Sequence, residues 1–375
     1  MATEVIQAMA VEQPRTYSQR ALIWLRFKQH RAAMVSLVIL GAFSVLSLFA
    51  EFFVPNSPFE QYRGYNYAPP RPLRFVDAEG QFHLVPFMYA YSQELNLETF
   101  QREWTEDEEH IYPLRFFVEG YEYHLLGLLP TNIHLFGVDP DAPPLLLFGS
   151  DNLGRDVFSR TIYASRISLS IALLGVIITI GVGVTLGGLS GYIGGLFDDI
   201  VQRISELLLA IPKIPLWLAF AAAVPANQPI MTTYLIIVII ASLTSWPFVA
   251  RGVRSKLISL RNEDYVLAAI SYGSSSLRII FRYLVPNFMS YIIVSISLGI
   301  PGIILMETSL SFLGIGLQSP VISWGVLLEQ AQNFQDVILH PWLLIPGVFV
   351  VVAIMAFNFV GDGMRDAADP YEKMK

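Results

Sequence analysis

Two ionisable side chains stand where apolar segments should exclude charge, and such residues at membrane depth are functional candidates by default. Glu307 closes one apolar run, in ETSLSFLG, where a carboxylate can cap a helix, fix a re-entrant segment or meet a solute. Lys213 lies between Pro212 and Pro215, where a long cationic chain can snorkel to headgroups or contact an anionic group in a transmembrane pathway. Both are read as pathway or gating candidates. Enzymatic chemistry has no comparable support. His30, His83, His110, His124, His134 and His340 form no HExxH or other close ligand pair, no GxSxG elbow occurs, and no GxxxxGK[ST] loop is present to cradle ATP. The absence of cysteine excludes disulfides, thiolate zinc sites and cysteine nucleophiles. One acidic run at 103–109, interrupted by Trp104 and Thr105, reads as a solvated helix face rather than a cation site. No catalytic, cofactor-binding or metal-binding residue is assigned.

The residues that could do mechanical work lie in NEDYVLAAISYGSSSLRIIFRYLVPN, 262–287. Read as a helix, Ala269 and Gly273 are four apart on one face with Ala268 beside them, which permits close docking into a partner's groove. Arg278 and Arg282 are also four apart, and Pro286 sets where the next apolar run begins. A second small-residue pattern, Gly183, Gly187 and Gly191, predicts close helix–helix packing.

These motifs need a membrane scaffold. With 54% hydrophobic and 15% charged residues in 375, lipid is the main solvent, and the net charge of −7 says little about a nucleic-acid partner because the basic residues gather in a few segments rather than along a binding face, so none is expected. Six runs reach the roughly 20 residues that a span requires, at 32–54, 167–197, 207–224, 230–250, 288–306 and 342–360. The first begins too deep in the chain and lacks a small-residue cleavage site, so it is expected to be a permanent anchor rather than a cleaved leader. Ile23, Trp24 and Phe27 among basic residues predict an interfacial helix over 19–31.

Lysine and arginine orient the spans. Arg15, Arg20, Arg26, Lys28 and Arg31 precede the first, Arg251, Arg254, Lys256, Arg261, Arg278 and Arg282 follow the fourth, and none occurs over 307–341. Both termini and the 251–287 loop are therefore expected in the cytoplasm. The organisation read from this is a tail and interfacial helix (1–31), a first transmembrane helix (32–54), an extracytoplasmic insertion (55–148) and a core with five spans (149–375). The insertion, rich in tyrosine, phenylalanine and proline, is expected to hold short strands and one helix near 95–110.

The 262–287 segment resembles the Glu-Ala-Ala loop of ABC importer membrane subunits. Ala268, Ala269, Gly273 and Pro286 are in register, while Leu267 replaces the usual glutamate and Val285 a leucine. FGSDNLGRDVFSR (148–160), GYIGG (191–195), ETSLSFLGIGLQSPVISWG (307–325) and NFVGDGMRDAADP (358–370) are similar to the second permease subunit of dipeptide and oligopeptide importers. The resemblance implies an all-α, six-span type I importer fold in a bacterial or archaeal cytoplasmic membrane. It also implies a homologous permease partner, two ATPase subunits that bind ATP and magnesium, and an external solute-binding protein. The solute would be a peptide or a molecule of similar size, such as an oligosaccharide or opine. The large insertion departs from the usual short loop and is expected to seat the binding protein. The rival reading is a membrane-tethered enzyme or receptor whose working part is 55–148, with Asp77, Glu79, Glu94 and Glu98 as its acidic groups.

Overall fold

Long apolar runs become helices because a helix satisfies its own backbone where water is absent. A computed structural model describes residues 19–95, 102–223, 225 and 228–368. Among these, five helices are long and apolar enough to cross a membrane, or six if one bent pair counts as a single span. α1 (Gln19–Gln29) and α2 (Arg31–Leu48) meet at His30, whose Nδ1 accepts the Ala33 amide at 3.1 Å and caps α2. α1 is the helix anticipated ahead of the first span, with Phe27 buried against Ala33 and Trp24 stacked on Phe27. α3 (Ala50–Phe53) continues the line after a break at Phe49, so the run at 32–54 is two helices.

α4 (Val157–Ile193) begins well before 167 because Asp156 caps it, accepting the amides of Phe158 and Ser159. It stops short of 197 at Gly194, where φ is 71°. The third run differs most from expectation. α5 (Gly195–Ala210) and α6 (Lys213–Ala222) are bent 95° to one another, so 207–224 is not one helix. Pro212 removes an amide donor at the break, and its ring disfavours helical backbone at Ile211, which is extended. α7 (Ile230–Leu260) continues past 250 into the basic segment, α8 (Asp264–Ser271) is short, and α9 (Met289–Phe312) places Glu307 within a helix rather than at its end. α10 (Trp324–Leu328) and α11 (Ile345–Ala368) follow.

The three glycines of α4 pack as their spacing predicts. A Cβ at Gly183 would lie 2.7 Å from Val249 Cβ, at Gly187 2.3 Å from the Ala250 carbonyl oxygen, and at Gly191 2.8 Å from that of Arg254. α4 and α7 thus touch backbone to backbone. The main core joins Phe43, Ile171, Trp217, Ile303, Trp324 and Ala353 from α2, α4, α6, α9, α10 and α11.

The insertion holds strands, as expected of it, so the chain as a whole is not all-α. β1 (Arg74–Val76), β2 (Phe82–Leu95) and β3 (Arg102–Pro113) form an antiparallel sheet in that order, and β4 (Arg115–Leu125) pairs with β5 (Leu129–Gly137) in a separate hairpin. The helix expected near 95–110 is a strand wherever that range is described from 102 onward, while 96–101 lies outside the described residues. Pairing with β2 and the contacts of Trp104 with Tyr65 and Tyr91, at 5.9 and 6.0 Å between centroids, outweigh the local helical preference of the acidic run.

Candidate functional site

Three regions collect the residues singled out by the sequence. The first is α8 and its flanks. Val266 and Ala269 turn inward onto Leu257, Ile279, Ile280 and Leu284, which ties the segment to α7. Ala269 is therefore core, not docking face. Gly273 is not on the helix either: it follows the cap Tyr272 with φ 74°. Its amide donates to the Ile270 carbonyl at 2.8 Å and that of Ser274 to Ala269 at 3.1 Å, the paired bonds of a Schellman turn. The expected face shared by Ala269 and Gly273 fails because the helix ends between them.

The exposed surface consists instead of Ala268 with Tyr265, Leu267, Ile270, Tyr272, Leu277 and Phe281. Tyr272 is 90% exposed and adds to a contiguous apolar patch with its exposed neighbours. Leu267, standing where the resemblance calls for glutamate, contributes to that apolar face. Arg278 and Arg282 are exposed beside it. Pro286 lies in a 3-10 turn, Val285–Phe288, that leads into α9.

The second region is a cavity of about 710 Å³ between α4, α6, α7, α9 and α11, within the range of small-molecule sites. Val176, Trp217 and Ile303 supply apolar wall, and Thr179, Ser245, Ser290, Tyr291 and Ser295 supply polar groups. Lys213, the first residue of α6, and Arg365, in the last turn of α11, are its two cations. Neither belongs to an ion pair among the described residues. Sequence reasoning found Lys213 and missed Arg365, although Arg365 stands within NFVGDGMRDAADP.

The third region is the end of the bundle that carries the insertion. Glu307 is fully buried, away from the cavity, and accepts hydroxyl hydrogen bonds from Ser168 at 3.2 Å, Ser311 at 3.0 Å and Ser323 at 2.6 Å. Ser168 also accepts the Trp324 amide, and Ser323 caps α10. Glu307 thus joins α4, α9 and the segment before α10. Gly325 permits this, since a Cβ there would lie 2.7 Å from Ser311 Cβ.

The motif at 148–160 closes the same end. Asp151 pairs with Arg155 at 2.6 Å, and Asp156 accepts Asn56 Nδ2 at 2.9 Å and Ser159 Oγ at 2.5 Å. Burial pushes the Asp156 carboxyl up to about 6 despite these donors. Gly154, at φ 72°, lets the loop pass Tyr62, whose carbonyl oxygen would lie 2.4 Å from a Cβ. These contacts clasp the chain after α3 to the start of α4. The signal was legible as a motif, but its partners Asn56 and Tyr62 are about a hundred residues away.

The family model described as binding-protein-dependent transport system inner membrane component matches residues 183–372. The chain belongs to this family. A second model, the N-terminal TM domain of oligopeptide transport permease C, matches residues 18–70 of the permease. The permease is 35% identical over 253 residues to the oligopeptide transport system permease protein OppC of Bacillus subtilis, covering 67% of this chain and 77% of that protein. It is 41% identical over 226 residues to the dipeptide transport system permease protein DppC of the same organism, covering 60% and 68%. The solved MetNI methionine ABC transporter contains a chain that overlaps this one at a TM-score of 0.42 and 16% identity, covering 56% of this chain and 97% of that one. The permease is a multi-pass membrane protein and a transport subunit rather than an enzyme.

Proposed function

We propose that this permease forms half of the translocation pathway of an ATP-driven importer for peptides or similarly sized solutes, with the six-span type I architecture. One observation carries the coupling mechanism: the exposed patch around Ala268 lies between α7 and α9, and those two helices wall the cavity through Ser245, Phe248, Ser290 and Tyr291. Val266 and Ala269 share one core cluster with Val249 of α7 and Ile292 of α9, so a push on α8 would reach both walls. Relatives named for oligopeptide and dipeptide transport support the solute class.

The partners in this reading are a homologous permease that completes the pathway, two ATPase subunits that hold ATP and magnesium and dock at Ala268, Tyr272 and Phe281, and an extracytoplasmic binding protein. Lys213 and Arg365 would line the pathway, whereas the buried Glu307 serves as a structural joint. The positive residues of α1 and of 251–287 support an orientation with both termini and α8 in the cytoplasm of a bacterium or archaeon and the insertion outside. The membrane-tethered enzyme is disfavoured because the family match at 183–372 lies beyond the insertion.

Replacing the exposed Ala268 by arginine is the direct test. In the complex reconstituted with its ATPases and binding protein, solute-stimulated ATP hydrolysis should fall at least tenfold while assembly persists. Undiminished stimulation would remove α8 from coupling. Orientation is tested with single cysteines in this cysteine-free chain. An impermeant reagent on intact cells should label position 80 and leave position 276 unlabelled.

A further inference from the structure

The β4–β5 hairpin ends in an apolar tip that turn chemistry alone does not favour. Tight hairpin turns with positive φ normally take asparagine, aspartate or glycine, because these adopt left-handed backbone most readily. Here Leu126 has φ 53° and Gly127 72°. Leu126, Leu128 and Leu129 are 53%, 79% and 65% exposed, and Pro130 continues the apolar surface. Leucines at such positions in water would bring neither good turn geometry nor burial.

The hairpin's course supplies the missing environment. Near its base, Phe136 packs on Phe158 at the start of α4, with 6.1 Å between centroids. Farther along, Tyr121 joins Ala50, Ile162 and Tyr163, and the His134 ring lies 2.8 Å from the Glu51 carbonyl oxygen. Between these points the hairpin descends α4 from Phe158 to Tyr163, about 7 Å at 1.5 Å per residue. Its direction is from the free end of α4 toward the lipid-crossing part.

The pair of Glu51 with Arg166 suits the membrane edge, because charged side chains are costly within the hydrocarbon. Nη1 and Nη2 of Arg166 each donate to the Glu51 carboxylate at 2.6 Å, and Nε and Nη2 also donate to the Ser47 and Leu48 carbonyls at the end of α2. The Arg166 guanidinium lies over the Tyr163 ring, 5.2 Å from its centroid, an aromatic and cationic pairing suited to the interface. Arg166 is only three residues, about 4.5 Å, beyond Tyr163. The strand from Tyr121 to Leu126 spans roughly 17 Å, enough to carry the tip past that level even when tilted.

We propose that the 125–130 tip is a membrane-dipping element whose leucines enter the leaflet on the insertion side of the bilayer. Its partner is lipid acyl chain, and Phe117, 66% exposed and 6.4 Å from Phe52, extends the contact at the headgroup level. The inference needs only that α2 and α4 cross the membrane and does not depend on the solute, the ATPases or the orientation. It assigns the hairpin to lipid and leaves the β1–β3 sheet to face water or a soluble partner.

Single cysteines at Leu128 and, as control, at Leu84 of β2, 89% exposed, can carry an environment-sensitive fluorophore in the full chain reconstituted in nanodiscs. Lipids bearing a shallow nitroxide should quench the probe at 128 at least threefold more than the probe at 84, and aqueous iodide should show the reverse order. A parallel label at Leu129 guards against local disruption by the label at 128. Iodide quenching at 128 and 129 equal to that at 84 would place the tip in water. Shielding from both quenchers would place it under protein. Either result overturns the proposal.

Discussion

Replacing Gly187 by alanine adds one methyl group where α4 meets α7, and the geometry defines its cost. The new Cβ would lie 2.3 Å from the Ala250 carbonyl oxygen and 2.7 Å from Ala250 Cα, against the 3.4 Å at which ordinary contact begins. Both neighbours are backbone atoms and cannot rotate away, so the helices must separate locally by about 1 Å, losing dispersion contacts along the seam. Overpacking of this kind costs roughly 1–3 kcal/mol. Alanine's better helix propensity returns up to about 1 kcal/mol. Gly181, on the same helix, has nothing within 4 Å of its built Cβ, so its replacement carries the propensity gain alone. Gly187→Ala should therefore be less stable than Gly181→Ala by about 1–3 kcal/mol. Thermal unfolding of the two purified variants in the same detergent, followed by monodispersity after heating, should show Gly187→Ala failing several degrees lower. Coincident melting would refute the backbone-to-backbone seam and the packing role of Gly183 and Gly191 with it.

Glu307→Ala would leave three buried serine hydroxyls without their acceptor and should cost roughly 1–3 kcal/mol, read as lost assembly on size exclusion, while Glu307→Gln retains most of it. Gly273→Ala should strain the left-handed turn by about 1–2 kcal/mol and fray α8, lowering solute-stimulated ATP hydrolysis, while Gly273→Asn preserves it. For Asp156 the folded carboxyl titrates at about 6 against an ordinary value of 3.8, so the folded state holds the proton more tightly. Its contribution is most favourable below about pH 4 and is lost as pH rises through 6, by about 3 kcal/mol in all. Asp156→Asn keeps the helix cap and removes the titration, so the difference in melting temperature between it and the parent should change across pH 4–6 and stay flat above 7.

The spans were legible because hydrophobicity and backbone satisfaction in lipid are properties of each segment alone, and five runs of leucine, isoleucine, valine and alanine are helices near where they were read. Gly183, Gly187 and Gly191 were legible for the same reason: a four-residue period defines a helix face before any partner is known. Helix ends were less so. Whether Gly273 continues a face or closes a turn depends on the sign of one φ angle, and Ala268 and Ala269 exchange solvent for core according to how α8 lies on Leu257 and Ile280. The strand at 102–113 was hidden because an acidic run favours helix locally, and only pairing with β2 decides otherwise. Arg365 and Lys213, about 150 residues apart, enter one cavity only through the packing of α6 and α11 around α9. Segmental preferences are additive along a chain and can be read from it. Contacts between distant segments are not, because each depends on where every other helix has come to rest.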